Sequence, residues 1–144
     1  MLWMSNQYSP GIKQFSSRNN NSCVLKISSP LGSVLLPRDI EFQREVFLTK
    51  HHREQLKVDV LIAPHHGSNT SSSGEFLSAV SPRWVLIPVG YRNRFKLPWP
   101  EVLERYHCYD ISAFNVSKTG ALTVDFRADK LYLSAYRDHQ KRYY

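Results

Sequence analysis

Cysteine is nearly absent from the 144 residues: Cys23 and Cys108 stand far apart, with no Cys-x-x-Cys pair. That spacing excludes a thiolate zinc cluster and leaves a single disulfide allowed but not required. Long apolar runs are missing too, since no stretch approaches the roughly 18 consecutive apolar residues that a membrane span needs. Met1-Leu2-Trp3-Met4 is too short for a signal-peptide core and lacks a basic leader. Acidic residues are in deficit, 12 against 19 Lys and Arg, for a net charge of +7. Such an excess suits contact with a polyanion, either nucleic acid or an anionic membrane surface, and equally describes an inert basic surface. No repeat or low-complexity segment occurs, and the length bounds the chain to one compact domain or part of a larger one.

What is present reads as a mixed α/β pattern. Residues 1–21 are polar and aperiodic, ending in Ser16-Ser17-Arg18-Asn19-Asn20-Asn21, and read as a flexible leader. Residues 23–27 and 34–36 form two short strands across a Pro30-Leu31-Gly32 turn. A helix follows Asp39, with Phe42 and Val46 at i,i+4 and Glu41 in its first turn; on spacing alone Asp39 is a plain N-cap. His51-His52-Arg53 is placed to end that helix as capping groups. Later come a helix with a Ser72/Glu75 capping box and Phe76, Leu77 and Val80 inward, then a strand over 84–89. A helix opens at Pro100 with Val102, Leu103 and Tyr106 on its apolar face, followed by a strand over 111–116. Residues 121–126 alternate cleanly and pair with 131–136 across the turn 127–130. The domain so read spans 22–136, and 137–144 is a basic tail.

The stretch 58–74 carries the chemistry. Its strand of Val58, Val60, Leu61 and Ile62 is stopped by Pro64 and Gly67, and the exit presents His65 and His66 backed by Ser, Thr and Asn. Two imidazoles at a sheet edge suit metal ligation or a general base, and also suit a hydrogen-bonded strand-end pair. A second candidate is Tyr91-Arg92-Asn93-Arg94-Phe95-Lys96, with Trp99 beyond it. There Arg92, Arg94 and Lys96 alternate with aromatic faces, the pattern for single-stranded nucleic acid, although an exposed basic loop produces the same string.

Ala63-Pro64-His65-His66-Gly67-Ser68-Asn69-Thr70-Ser71, with Glu75-Phe76-Leu77, Ser81-Pro82, Pro88-Val89-Gly90 and Asn93-Arg94-Phe95, resembles the competence protein ComEC. The part resembled is the carboxy-terminal metallo-β-lactamase-like domain of that DNA-uptake family. The similarity runs back through Leu35-Leu36-Pro37-Arg38-Asp39-Ile40-Glu41 and forward through Pro98-Trp99-Pro100 to Thr119-Gly120-Ala121. The resemblance implies the carboxy-terminal half of an αβ/βα sandwich, a mixed sheet with helices on one face. It implies a two-metal centre, zinc or manganese, in which Asp39 is the bridging carboxylate and His66 the late histidine. His65 would orient its neighbour or act on substrate, and the roles of the two histidines are interchangeable at this level. No small-molecule cofactor is implied.

The family's early His-x-His-x-Asp-His loop has no counterpart in this chain, which opens where the family's domain is about half complete. Its Gly-His-Pro-His-Pro stretch is replaced by Lys96-Leu97-Pro98-Trp99-Pro100, and Pro37-Arg38 stand where a small residue and glycine precede the aspartate. A stable metal site takes three or four protein ligands, so the expectation is a segment inactive alone. ComEC-like proteins are polytopic in the inner membrane, which implies a missing membrane partner; this stretch alone reads as cytoplasmic. Three functions follow: a truncated competence segment with DNA as partner, a non-catalytic DNA-binding module with a decayed metal site, or an inert remnant of a disrupted gene.

Overall fold

The computed structural model describes residues 1–5, 15–128 and 130–138. A six-stranded mixed sheet runs in the order β1 (Leu2–Ser5), β2 (Val24–Ser29), β3 (Gly32–Leu36), β4 (Val60–Ile62), β5 (Trp84–Ile87) and β6 (Ser112–Asn115). The first three strands pair antiparallel and the remaining contacts are parallel. The parallel steps are bridged by α1 (Phe42–Leu56), α2 (Gly74–Val80) and α3 (Pro100–Cys108). A short α4 (Val116–Thr119) leads into an antiparallel hairpin, β7 (Leu122–Phe126) and β8 (Leu131–Ala135). Its turn includes residue 129, outside the described residues, as are 6–14 of the leader and 139–144 of the basic tail.

Strand periodicity assigns the two faces of the sheet. Leu35, Leu61 and Val85 lie in one cross-strand row and share the core with Leu48, Phe76, Leu77, Val102 and Tyr106 from the three helices. All three helices therefore cover one face, as expected. The opposite row carries Val60 and Trp84, both buried, and the hairpin lies on this side, with Phe126 and Leu131 against Gly32 and Leu131 and Leu133 near Trp84. A Cβ on Gly32 would come 2.1 Å from the Phe126 ring, so only glycine lets that ring rest on β3. Leu122, Val124 and Phe126 are the half-buried positions of β7, while Thr123 and Asp125 are exposed, matching the alternation in the sequence.

The polar leader is not a loop throughout. Leu2–Ser5 adds to the sheet as its edge strand, with Leu2 opposite Ile27 and Ser5 opposite Val24. Two contacts invisible to periodicity hold this segment. The Arg44 guanidinium, buried between the Phe15 and Phe47 rings, donates to the Ser5 hydroxyl at 2.9 Å. Asn20, also buried, accepts from the backbone N–H of Glu41 and Arg44, capping α1 from a distant part of the chain.

Helix α1 also departs from its sequence reading. It begins at Phe42 with Glu41, not Asp39, in the capping position. Phe42 and Val46 face solvent, and the buried face carries Arg44, Glu45, Leu48 and Leu56. Nor does His51-His52-Arg53 end the helix, which continues to Leu56 past one non-helical residue, His52. His51 instead stacks on Phe47 at 4.4 Å and His52 packs on Trp3, so aromatic packing rather than end-capping claims both rings. In α2 the cap is Ser73, whose hydroxyl accepts from Phe76 N–H, and not Ser72.

Ser72 has a different task. Its hydroxyl meets the Tyr106 hydroxyl at 2.7 Å in the core, and its N–H donates to Glu45 Oε1 at 2.5 Å while Ser73 N–H donates to Oε2 at 2.8 Å. Arg105 completes the clamp by donating to the carbonyls of Ser71 and Ser72. Burial pushes the Glu45 carboxyl above the ordinary glutamate range, against the lowering effect of those amide donors. The folded state therefore keeps its proton to higher pH than the unfolded chain does. Stability should fall as pH rises from the ordinary glutamate value through the raised folded one, and urea unfolding across that window should show the loss. Glu45→Gln puts an amide donor where one backbone N–H needs an acceptor; it should cost about 1–3 kcal/mol near neutral pH and flatten the slope. An unchanged urea midpoint would contradict this account of the loop.

Candidate functional site

Two tight turns meet at the end of the parallel strands. After β3 the chain turns at Arg38, and after β4 it turns at His65 and His66; all three have positive φ, at 57°, 46° and 56°. The left-handed region costs residues with a Cβ on the order of 1 kcal/mol or more each, so surrounding structure must hold them there. Part of that hold is a backbone bond between the turns, His65 N–H to the Arg38 carbonyl at 2.9 Å. Gly67 closes the second turn at φ +80°, where a Cβ would lie 2.6 Å from Pro98.

The joined turns bring Asp39 and His66 together. His66 Nε2 lies 3.5 Å from Asp39 Oδ1, and both side chains are roughly half exposed. The other ring nitrogen, Nδ1, is 2.8 Å from the Pro88 carbonyl. A carbonyl only accepts, so Nδ1 carries the proton and Nε2 of the neutral ring points its lone pair at the carboxylate. A lone pair facing a carboxylate is repulsive unless a proton or cation sits between them.

His65 turns the other way. Its Nδ1 lies 3.2 Å from Thr70 Oγ1 and 3.6 Å from Glu41 Oε1, and Thr70 Oγ1 in turn donates to Glu41 Oε1 at 3.3 Å. Glu41 also accepts from Ser17 Oγ and Asn19 Nδ2. Burial acts to raise this carboxyl's pKa, but the Ser17, Asn19 and Thr70 donors and the His65 charge outweigh it and hold the group below the ordinary range.

The chain is 38% identical over 104 residues to Competence protein ComA of Neisseria gonorrhoeae, a match covering 72% of the chain. It is 38% identical over 113 residues to Recombination protein 2 of Haemophilus influenzae, and 30% over 119 residues to ComE operon protein 3 of Bacillus subtilis. The chain belongs to the ComEC family. It spans only 14–15% of the length of these three ComEC relatives. No protein-family model matches it.

The donor set around His66 fits a metal ion only in part. Bond lengths of about 2.0–2.2 Å to zinc place two tetrahedral ligand atoms about 3.4 Å apart, so the Asp39–His66 pair has the span of two ligands on one ion. The count falls short: among the described residues no group of three or more His, Cys, Asp or Glu side chains is placed to hold a metal. The described residues thus do not form a self-sufficient metal site.

The basic loop adjoins the same turns. Pro88, whose carbonyl accepts the hydrogen bond from His66 Nδ1–H, leads directly into it, and at its far end Trp99 N–H donates to the Gly67 carbonyl at 3.0 Å. Arg92, Arg94 and Lys96 are all exposed, as are Tyr91, Phe95 and Trp99. Arg92 lies over the Tyr91 ring and Arg94 over the Phe95 ring, at 5.2 and 4.6 Å from the centroids. Sequence reasoning overlooked the partners of His65. Glu41 read as a first-turn helix acid and Thr70 as one of many hydroxyls, and no spacing rule links two residues 29 apart.

Relief of the backbone strain is measurable. Arg38 is exposed, so Arg38→Gly should keep the fold and raise stability by about 1 kcal/mol in urea unfolding. Gly67→Ala should lower it by about 1 kcal/mol or more, because strain and the Pro98 contact act together. A stability loss in Arg38→Gly would mean that this turn is not strained.

Proposed function

We propose that this chain is a ComEC segment associated with DNA uptake in natural transformation, corresponding to the carboxy-terminal half of a metallo-β-lactamase-like domain. In this reading it is not an active hydrolase by itself. The observation that carries the proposal is the Asp39–His66 pair: two turns separated by 26 residues deliver a carboxylate and a tautomer-defined imidazole to one spot, 3.5 Å apart. A mixed sheet with helices on one face and a two-stranded hairpin on the other supports the fold attribution. The names of the relatives, which speak of competence and recombination, support the biological setting.

In this reading Asp39 and His66 supply two of the donors of a zinc or manganese centre, and the remaining donors come from elsewhere in a ComEC protein. Such an ion would contribute Lewis-acid polarisation of a phosphodiester. The residues of this chain do the positioning. Pro88 fixes the His66 tautomer, Thr70 and Glu41 hold the His65 ring turned away from that pair, and Arg92, Arg94 and Lys96 hold the phosphates of single-stranded DNA. In this reading association with the inner membrane belongs to the rest of a ComEC protein; no helix among the described residues is long and apolar enough to cross a membrane.

The shortage of donors favours one further reading, a DNA-binding module whose metal site has decayed. Metal analysis separates the two. After incubation with zinc or manganese and gel filtration, the parent chain should retain less than one ion per chain, and His66→Ala or Asp39→Asn should retain less still. Single-stranded DNA should remain uncut by all three. Equal metal content in parent and variants would remove the ligand roles, and DNA affinity that survives chelator would then leave the binding module standing.

A further inference from the structure

We propose that a groove between the 90–98 loop and the β6–α4 junction binds the phosphodiester backbone of single-stranded nucleic acid, with Lys118 as the cation of its far wall. The proposal rests on the nucleic-acid reading above and adds a binding element remote in sequence from the basic loop. The groove has a volume of about 450 Å3. Arg92, Asn93 and Lys96 line one side; Asn115, Ser117 and Lys118 line the other; no carboxylate lines it. Among the described residues none of the three cations has an ion-pair partner. Three uncompensated cations around one cleft focus a positive potential that a polyanion relieves.

Both walls are preset. Asn93 accepts from Leu97 N–H and donates to the Leu97 carbonyl, each at 2.8 Å, and so holds the loop as a closed turn. Arg92, just before that turn, and Lys96, within it, take positive φ of 53° and 54°, which re-aims their side chains relative to an extended strand. Across the groove, Asn115 Oδ1 accepts from Ser117 N–H and Oγ–H, and Arg137 donates to the carbonyls of Ser117 and Lys118. The wall carrying Lys118 is therefore tied to the segment after β8, and little ordering is left to be done on binding.

The arrangement fits a chain of phosphates better than a single anion. The cations are spread over two walls, and the Tyr91 ring, 71% exposed, forms part of the lining and offers a face to an unstacked base. The segment that forms the near wall of the groove is hydrogen-bonded to the histidine turn at both ends, at Pro88 and at Trp99.

The test is fluorescence anisotropy of a labelled oligothymidine titrated with the full chain across a salt series. Lys118→Ala should weaken binding about 3- to 10-fold at low salt and flatten the plot of log affinity against log salt by about 0.7, the value for one lost phosphate contact on a single strand. Lys118→Arg should restore both. Lys50→Ala removes the same charge from the exposed surface of α1 and should leave the slope unchanged. If Arg92→Ala weakens binding while Lys118→Ala does not, the groove is overturned and the basic loop stands. Equal loss in Lys50→Ala and Lys118→Ala also overturns the groove, since net charge alone would then explain it. Absence of binding by the parent chain overturns both the groove and the nucleic-acid reading.

Discussion

One backbone hydrogen bond, from His65 N–H to the Arg38 carbonyl, couples the turns that follow β3 and β4. Neighbouring parallel strands deliver both turns to the same end of the sheet, and the bond sets their height and direction relative to each other. Further bonds join the same two segments, from Phe42 N–H to the Thr70 carbonyl and from Thr70 Oγ1 to Glu41. The cost is three non-glycine residues in the left-handed region within two short turns. Strain of this kind persists only where neighbouring structure over-determines it. Here Pro88, Pro98 and the Ser-rich loop supply that constraint, and Pro88 and Trp99 tie the flanks of the basic loop to the same turn.

The Ser-rich loop is held by polar groups rather than by apolar packing. Glu45, Arg105 and Tyr106 reach it from α1 and α3 and satisfy its amides, carbonyls and a hydroxyl inside the core. A loop buried in this way has no room for unpaired backbone, and burial pushes the Glu45 carboxyl and the Tyr106 phenol above their ordinary ranges. That explains why α1 turns a glutamate inward and leaves Phe42 in solvent. The exposed phenylalanine then lines the crevices beside Thr70 that adjoin the His65 partners.

Local pattern made much of the architecture legible. The alternation of 122–126, the aliphatic run before Pro64, Pro100 at a helix start and the inward Phe76, Leu77 and Val80 each follow from one period or one stereochemical rule. The failures have a common cause. Asn20 caps α1 from across the chain, Arg44 draws β1 onto the sheet through Ser5, and Glu45 is recruited by a loop 27 residues away. Each is a long-range polar contact, and hydrophobic periodicity carries no trace of such contacts. The same limit hid Glu41 and Thr70 as partners of His65.

From the sequence alone came the family resemblance, the candidate pair Asp39 and His66 and the basic loop, because these depend on which residue types are present and in what order. Tertiary structure decided that the aspartate and histidine share one spot, which imidazole nitrogen faces the carboxylate, and that Lys118 lies across a groove from Arg92 and Lys96. Those outcomes depend on strand order and on backbone bonds between distant turns, since side chains remote in the chain meet only where the sheet brings their strands side by side.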